Sequence, residues 1–107
     1  MEDEALIAED LRYTVVGLGY AVVAVTDSGE EAVQRVRELR PDLVLLDFKL
    51  RGPMNGVEAG ALIQQSVSSA VVYVSANAEV LKQPHFVRKP FSRATLSGAI
   101  TAALASR

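Results

Sequence analysis

The feature that most constrains the fold is a short, uninterrupted run of apolar residues that ends in a carboxylate. Leu43–Leu46 is followed directly by Asp47. A strand that is apolar on both faces must be covered on both faces, which is typical of parallel sheets between helical layers. A second such run, Val71–Val74, ends at Ser75. The two runs predict buried strands whose polar ends lie at one edge of a sheet.

Segments with other periodicities come before and between these runs. Apolar residues at helical spacing predict a first helix from about Glu4 to Val16. Tyr20–Thr26 is β-branched and apolar, which is typical of a strand. Ser28 and Glu31 have the spacing of a capping box, and they predict a second helix that stops before Pro41.

The second half of the chain continues the alternation. A helix is expected from about Val57 to Ser66, and residues 76–84 leave room for one helical turn. Phe86 and Val87 predict a last short strand, and Ser92 is positioned to cap a final helix. The order α-β-α-β-α-β-α-β-α implies right-handed crossovers and a parallel sheet with helices on both faces.

Composition narrows the function classes. The 107 residues carry a net charge of −2 and contain no cysteine, so a single domain is expected, without disulfides or thiolate metal ligands. Acidic and basic residues are interspersed, which argues against nucleic-acid binding. The acidic start Met-Glu-Asp-Glu is unlike a signal peptide, and the apolar runs are too short to span a bilayer. A cytoplasmic protein with no membrane contact is expected.

Four polar residues are expected to meet at one edge of the sheet, and together they could carry out phosphoryl transfer. Carboxylates of Asp3 and Asp47 repel each other unless a cation lies between them, and hard oxygen ligands suit Mg²⁺. An ionised carboxylate is a competent nucleophile toward phosphorus. Ser75 and Lys89 would supply the hydroxyl and the ammonium that stabilise the transferred group.

The motifs resemble the receiver domain family of two-component response regulators, whose fold is flavodoxin-like (CheY-like). Glu2-Asp3 resembles the acidic pair of that family, and Leu43–Asp47 resembles the strand that ends in the phosphoacceptor. Val74-Ser75-Ala76 and Lys89-Pro90-Phe91 are similar to the two later strand ends. The resemblance covers nearly the whole chain.

The resemblance implies a role for each matching residue around the metal. Asp47 would accept the phosphoryl group, from a sensor histidine kinase or a phosphotransfer protein. Asp3 and Asp47 would bind Mg²⁺, with Glu2 acting through a water and Lys49 contributing its backbone carbonyl.

The resemblance also implies a switch and limits the catalysis. Ser75 and Lys89 would hold the phosphoryl group, and Ser75 and the aromatic ring of Phe86 would move on activation. The domain would not be an enzyme in the usual sense, because it would catalyse only its own phosphorylation and slow dephosphorylation.

Two departures from the family pattern accompany this resemblance. Only Met1 precedes Glu2, so the first strand is expected to be absent, and the short interval between Ser75 and Lys89 predicts a shortened fourth helix. A chain without its central strand would expose two inner sheet edges, and a homodimer is therefore expected. No output domain is expected after Arg107.

Two other functions remain open on the sequence alone. A receiver-like interaction module that is not phosphorylated would explain the expected loss of the first strand. A small phosphohydrolase with an aspartyl nucleophile would want a second Asp two residues after Asp47, where this chain has Lys49.

Overall fold

The computed structural model describes residues 3–8, 11–47, 52–76 and 83–106. Within them a five-stranded sheet has the order β2-β1-β3-β4-β5, with every neighbouring pair parallel. The strands are β1 Glu4–Ala8, β2 Ala21–Val25, β3 Leu43–Asp47, β4 Ala70–Ser75 and β5 Phe86–Arg88. The helices are α1 Arg12–Gly17, α2 Gly29–Leu39, α3 Gly56–Ser66 and α4 Arg93–Ser106.

Helices cover both faces of the sheet, as predicted for a flavodoxin-like fold. Alternate residues of β3 point to opposite faces: Leu43 and Leu45 join one core cluster, whereas Val44 and Leu46 join the other. The first cluster includes buried residues of α1 and α4, and the second includes buried residues of α2 and α3. The uninterrupted apolar run of β3 is therefore explained by two separate cores.

The first strand is present, so the expectation that it is absent was wrong. Glu4–Ala8, which we expected to begin the first helix, forms β1 and pairs with β2 on one side and β3 on the other. All four residues from Ala5 to Ala8 are at most 1% exposed. A helix packed on a sheet buries mainly one face, so it needs apolar residues on that face alone. A strand inside the sheet is covered on both faces, and four consecutive apolar residues suit such a strand.

The position of β1 changes two further expectations. The first helix is limited to Arg12–Gly17, where Val15 is its buried residue. Because β1 lies between β2 and β3 in the described sheet, these two strands have no unpaired inner edges there, and the structural reason for expecting a dimer disappears. The homodimer itself stays a prediction.

The expected short fourth helix falls on residues 77–82, which lie outside the described residues.

Local capping signals explain where the longer helices begin. The Ser28 hydroxyl accepts a hydrogen bond from the Glu31 N–H at 3.1 Å, as expected. α3 begins with a reciprocal capping box between Asn55 and Glu58, which the sequence reading did not anticipate. The Ser92 hydroxyl accepts from the Thr95 N–H at 3.1 Å.

None of the helices in the described parts of the chain is long and apolar enough to cross a membrane.

Close packing of α3 on β4 requires a glycine. A Cβ added at Gly60 would fall on the Tyr73 hydroxyl and lie 2.7 Å from the ring carbon Cζ. Tyr73 is 4% exposed, and burial raises the pKa of its hydroxyl from 10.0. The ring is therefore enclosed, and α3 can approach β4 only because position 60 has no side chain.

We expect Gly60→Ala to lower the free energy of unfolding by about 1–3 kcal/mol, because the added methyl overpacks the interface. Urea denaturation measures this change. The matched control is Gly98→Ala on α4, where nothing lies within 4 Å of the added Cβ and the free energy should rise by roughly 0.5–1 kcal/mol. Equal stabilities of the two variants would contradict the packing argument.

Candidate functional site

The carboxyl ends of β3 and β4 bring two of the expected site residues together. Asp47 is the last residue of β3 and pairs with Val74, so the next residue of β4, Ser75, stands beside the end of β3. Parallel strands place their carboxyl ends at one edge, where ligands bind in open α/β sheets. Ser75 is buried, whereas Asp47 is partly exposed.

Lys89 joins this edge from the segment after β5. Its backbone N–H donates to the Ser75 carbonyl at 3.0 Å, which continues the β4–β5 pairing beyond the end of β5. Its ammonium Nζ lies 3.7 Å from Asp47 Oδ2. The Lys89-Pro90 peptide bond is cis. The structure thus brings Asp47, Ser75 and Lys89 to one edge of the sheet.

Burial and the Asp47 charge act on Lys89 in opposite directions. Partial burial lowers the pKa of the Lys89 ammonium from its ordinary value of 10.5, because removing a cation from water disfavours its charged form. The carboxylate 3.7 Å away favours that charged form. The side chains of Lys89 and Asp47 are 33% and 22% exposed, so water screens their attraction, and burial has the larger effect.

Phe86 is the aromatic residue that we expected to act in the switch. It begins β5, pairs with Tyr73 and is partly buried against the core shared with α2 and α3. Its role in a switch stays a prediction, because partial burial alone also suits a residue that fills the core.

The structure does not bring Asp3 to this edge of the sheet, where we expected it to lie beside Asp47 as a metal ligand. The Asp3 carbonyl accepts from the Ala21 N–H, and the neighbouring Glu4 carbonyl accepts from the Asp42 N–H at the start of β3. β3 then runs on to Asp47, and at ~3.3 Å per residue its two ends lie roughly 15 Å apart.

A second observation agrees with this position of Asp3. Burial raises the pKa of the Tyr20 hydroxyl, and the nearby Asp3 carboxylate adds to the effect. Tyr20 directly precedes β2, at the amino-terminal edge of the sheet. Glu2 and Lys49, the other two expected contributors to the metal site, lie outside the described residues.

The sequence reading missed a second acidic pair. Glu9 and Asp10 follow Ala8, the last residue of β1, directly in the sequence. The available signal was the run Ala5–Ala8, which is apolar and precedes two acids just as Leu43–Leu46 precedes Asp47. Glu9 and Asp10 lie outside the described residues, so their place is known from the sequence alone.

The described residues alone do not form a complete metal site. Within ranges 3–8, 11–47, 52–76 and 83–106, no group of three or more His, Cys, Asp or Glu side chains could hold a metal ion. The Asp47 carboxylate, however, is a hard oxygen ligand of the kind that Mg²⁺ prefers. Acidic residues that follow β1 would supply the remaining carboxylates, so the donor chemistry of the chain fits Mg²⁺.

Comparisons with known protein sequences match nearly the whole chain. The sequence model of the response regulator receiver domain family matches residues 1–101. Over 97% of the chain, the sequence is 35% identical to the phyllosphere-induced regulator PhyR of Methylorubrum extorquens and 31% identical to the DNA-binding response regulator MtrA of Mycobacterium tuberculosis. The chain spans 42% and 48% of those two proteins.

Solved structures show the same architecture. The signal receiver domain of a modulated diguanylate cyclase from Desulfovibrio desulfuricans, described as an example of alternate folding, has a TM-score of 0.86 and 31% identity, with 99% of this chain and 96% of that chain covered. The receiver domain of a sensor histidine kinase from Pseudomonas aeruginosa, solved with magnesium in its active-site cleft, has a TM-score of 0.85 and 24% identity, with 98% and 99% covered.

The opposing effects of burial and charge on Lys89 can be measured. We expect the Lys89 ammonium to titrate below 10.5 in ¹³C NMR of the lysine ε-carbons, with Lys89→Arg used for assignment. Asp47→Asn should lower this pKa further, because it removes the charge that favours the ammonium. A wild-type pKa at or above 10.5 would contradict the assignment of burial as the larger effect.

Proposed function

The chain belongs to the response regulator receiver domain family, and from this membership we propose that it accepts a phosphoryl group on Asp47 from a sensor histidine kinase or a phosphotransfer protein. The observation that carries the proposal is the Lys89 ammonium 3.7 Å from the Asp47 carboxylate at the carboxyl edge of a parallel sheet. Ser75 ends the adjoining strand.

The proposed transfer needs little covalent machinery from the protein. An Asp47 carboxylate oxygen forms the bond to phosphorus as the bond between phosphorus and the donor imidazole breaks, and the imidazole leaves. No base is needed, because a carboxylate nucleophile attacks without first losing a proton. The Lys89 ammonium and the Ser75 hydroxyl would donate to phosphoryl oxygens, whose charge would otherwise oppose the approach of a carboxylate.

Mg²⁺ is the proposed cofactor, since it would neutralise charge shared by the carboxylates and the incoming phosphoryl oxygens. Asp47 would be one ligand, and Lys49 would contribute its backbone carbonyl. For the acidic pair we propose Glu9 and Asp10 in place of Glu2 and Asp3, because they follow β1 in the sequence and Asp3 lies at the other edge of the sheet.

The proposed readout of phosphorylation uses the core beneath the site. Movement of the buried Ser75 hydroxyl toward the phosphoryl group would vacate space near β5. The Phe86 ring, which is partly buried on the neighbouring strand, would then change rotamer. A partner protein that contacts this side of the sheet would sense the change.

The first test is phosphorylation by acetyl phosphate with Mg²⁺, followed by intact-mass spectrometry. We expect one added phosphoryl group on the wild type, and none on Asp47→Asn or after chelation of Mg²⁺. The control is Asp42→Asn, which removes a carboxylate from the opposite end of the same strand and should still be labelled. Equal labelling of Asp47→Asn and the wild type would exclude Asp47 as the acceptor, and absence of labelling and of Mg²⁺ binding would favour an interaction module.

The second test distinguishes the two acidic pairs. Asp10→Asn should weaken Mg²⁺ binding at least roughly tenfold, because it removes a proposed ligand, whereas Asp3→Asn should leave the dissociation constant unchanged. Isothermal titration calorimetry measures both. The reverse result would return the metal site to Glu2 and Asp3, and would require residues 4–8 to leave the central strand.

A further inference from the structure

The loop between β3 and α3 is tied to a helix that carries none of the proposed site residues. Glu30 lies in the first turn of α2, and its Oε1 accepts a hydrogen bond from the Met54 N–H at 2.9 Å. A carboxylate that accepts from a backbone N–H makes a charge-assisted bond, which is stronger than a neutral one. This contact therefore fixes the end of the loop whose other end is Asp47.

Two glycines allow the loop to approach α2 this closely. Gly52 has φ +88°, a conformation that favours glycine, and a Cβ there would lie 2.8 Å from Glu30 Oε2. A Cβ at Gly29 would lie 2.9 Å from the Met54 carbonyl oxygen. The Glu30 carboxylate is thus seated against the backbone of the loop at two places, Gly52 and Met54, which a long side chain at either glycine would prevent.

The loop is also fixed from the side of α3. The Asn55 side chain accepts from the Glu58 N–H at 2.9 Å, and the Glu58 carboxylate accepts from the Asn55 N–H at 3.1 Å. Met54 is therefore held by α2, and the next residue, Asn55, is held by α3. These contacts fix the position at which the chain enters α3 after it leaves Asp47.

We propose that Glu30 is a positioning residue for the phosphorylation site, acting through this loop on its affinity for Mg²⁺. The inference rests on the proposed function, in which the metal binds Asp47 and a backbone carbonyl of the loop. A carbonyl ligand contributes more to affinity when its direction is set before the metal arrives, because binding then carries no ordering cost. Groups that orient ligands affect metal affinity strongly. Glu30 touches neither the phosphoryl group nor the metal.

The chain offers a matched control one residue away. Glu30 and Glu31 are both exposed and both lie in the first turn of α2, so each carboxylate interacts favourably with the helix dipole. The Glu31 N–H is bound by the capping hydroxyl of Ser28, whereas the Glu30 carboxylate reaches across to the loop. A comparison of the two separates the loop contact from a general effect of charge at the helix end.

The experiment compares Glu30→Ala, Glu30→Gln and Glu31→Ala with the wild type. It measures amide hydrogen exchange at Met54 by NMR, the Mg²⁺ dissociation constant by calorimetry, and acetyl phosphate labelling at saturating Mg²⁺. Glu30→Ala should speed Met54 exchange roughly fivefold to tenfold. It should raise the Mg²⁺ dissociation constant roughly threefold to tenfold, less than the loss of a direct orienting partner. Labelling at saturating Mg²⁺ should be preserved.

The control variants give the decisive comparison. Glu31→Ala should match the wild type in all three measurements, and Glu30→Gln, which keeps an acceptor oxygen for Met54, should recover most of the Mg²⁺ affinity. If Glu30→Ala speeds Met54 exchange and leaves Mg²⁺ binding unchanged, the inference is overturned while the proposed function stands. Glu30→Gln as weak as Glu30→Ala would also overturn it. A wild type that neither binds Mg²⁺ nor is labelled would remove both.

Discussion

The structure depends on the insertion of β1 between β2 and β3. Glu4–Ala8 is parallel to both neighbours, and the Ile7 carbonyl accepts from the Thr26 N–H just beyond the end of β2. The side chains of β1 contribute to both cores: Leu6 lies on one face of the sheet and Ile7 on the other, and each is fully buried. Burial of each of these two is worth about 1.5–3 kcal/mol, a large share of the typical stability of a small domain.

The use of Glu4–Ala8 as a strand leaves a short first helix. α1 has six residues, and a helix of that length has little stability of its own. Tertiary contacts hold it in place instead: Val15 is buried in the core, and the Arg93 guanidinium donates to the Gly17 carbonyl at 2.6 Å. A cation at the end of a helix also interacts favourably with its free carbonyls. The connection between β1 and β2 is therefore stabilised by α4, the last helix of the chain.

The parallel sheet also gives the candidate site its electrostatic character. Two strands, β3 and β4, and the segment after β5 bring a carboxylate, a buried hydroxyl and a half-buried ammonium to one edge, although Asp47 and Lys89 are far apart in the sequence. Burial lowers the pKa of the Lys89 ammonium, and the Asp47 carboxylate 3.7 Å away opposes this effect. The loop that leaves Asp47 is anchored at Met54 by Glu30. The site thus depends on backbone geometry contributed by strands, a helix end and a loop.

The sequence alone determined much of the fold and the core of the site. The uninterrupted apolar run before Asp47, the second run before Ser75 and the capping serines predicted strands and helices that the structure describes after Tyr20, because these are local properties of burial period and hydrogen bonding. Tertiary structure decided what residues 4–8 become. The helical spacing of apolar residues from Ile7 onward predicts a helix, whereas four consecutive apolar residues predict a buried strand. The strand forms because the rest of the fold leaves a place for it between β2 and β3. Because residues 4–8 form a strand, Asp3 lies at the amino-terminal ends of the strands. Asp47 lies at a carboxyl end, on the opposite side of the sheet.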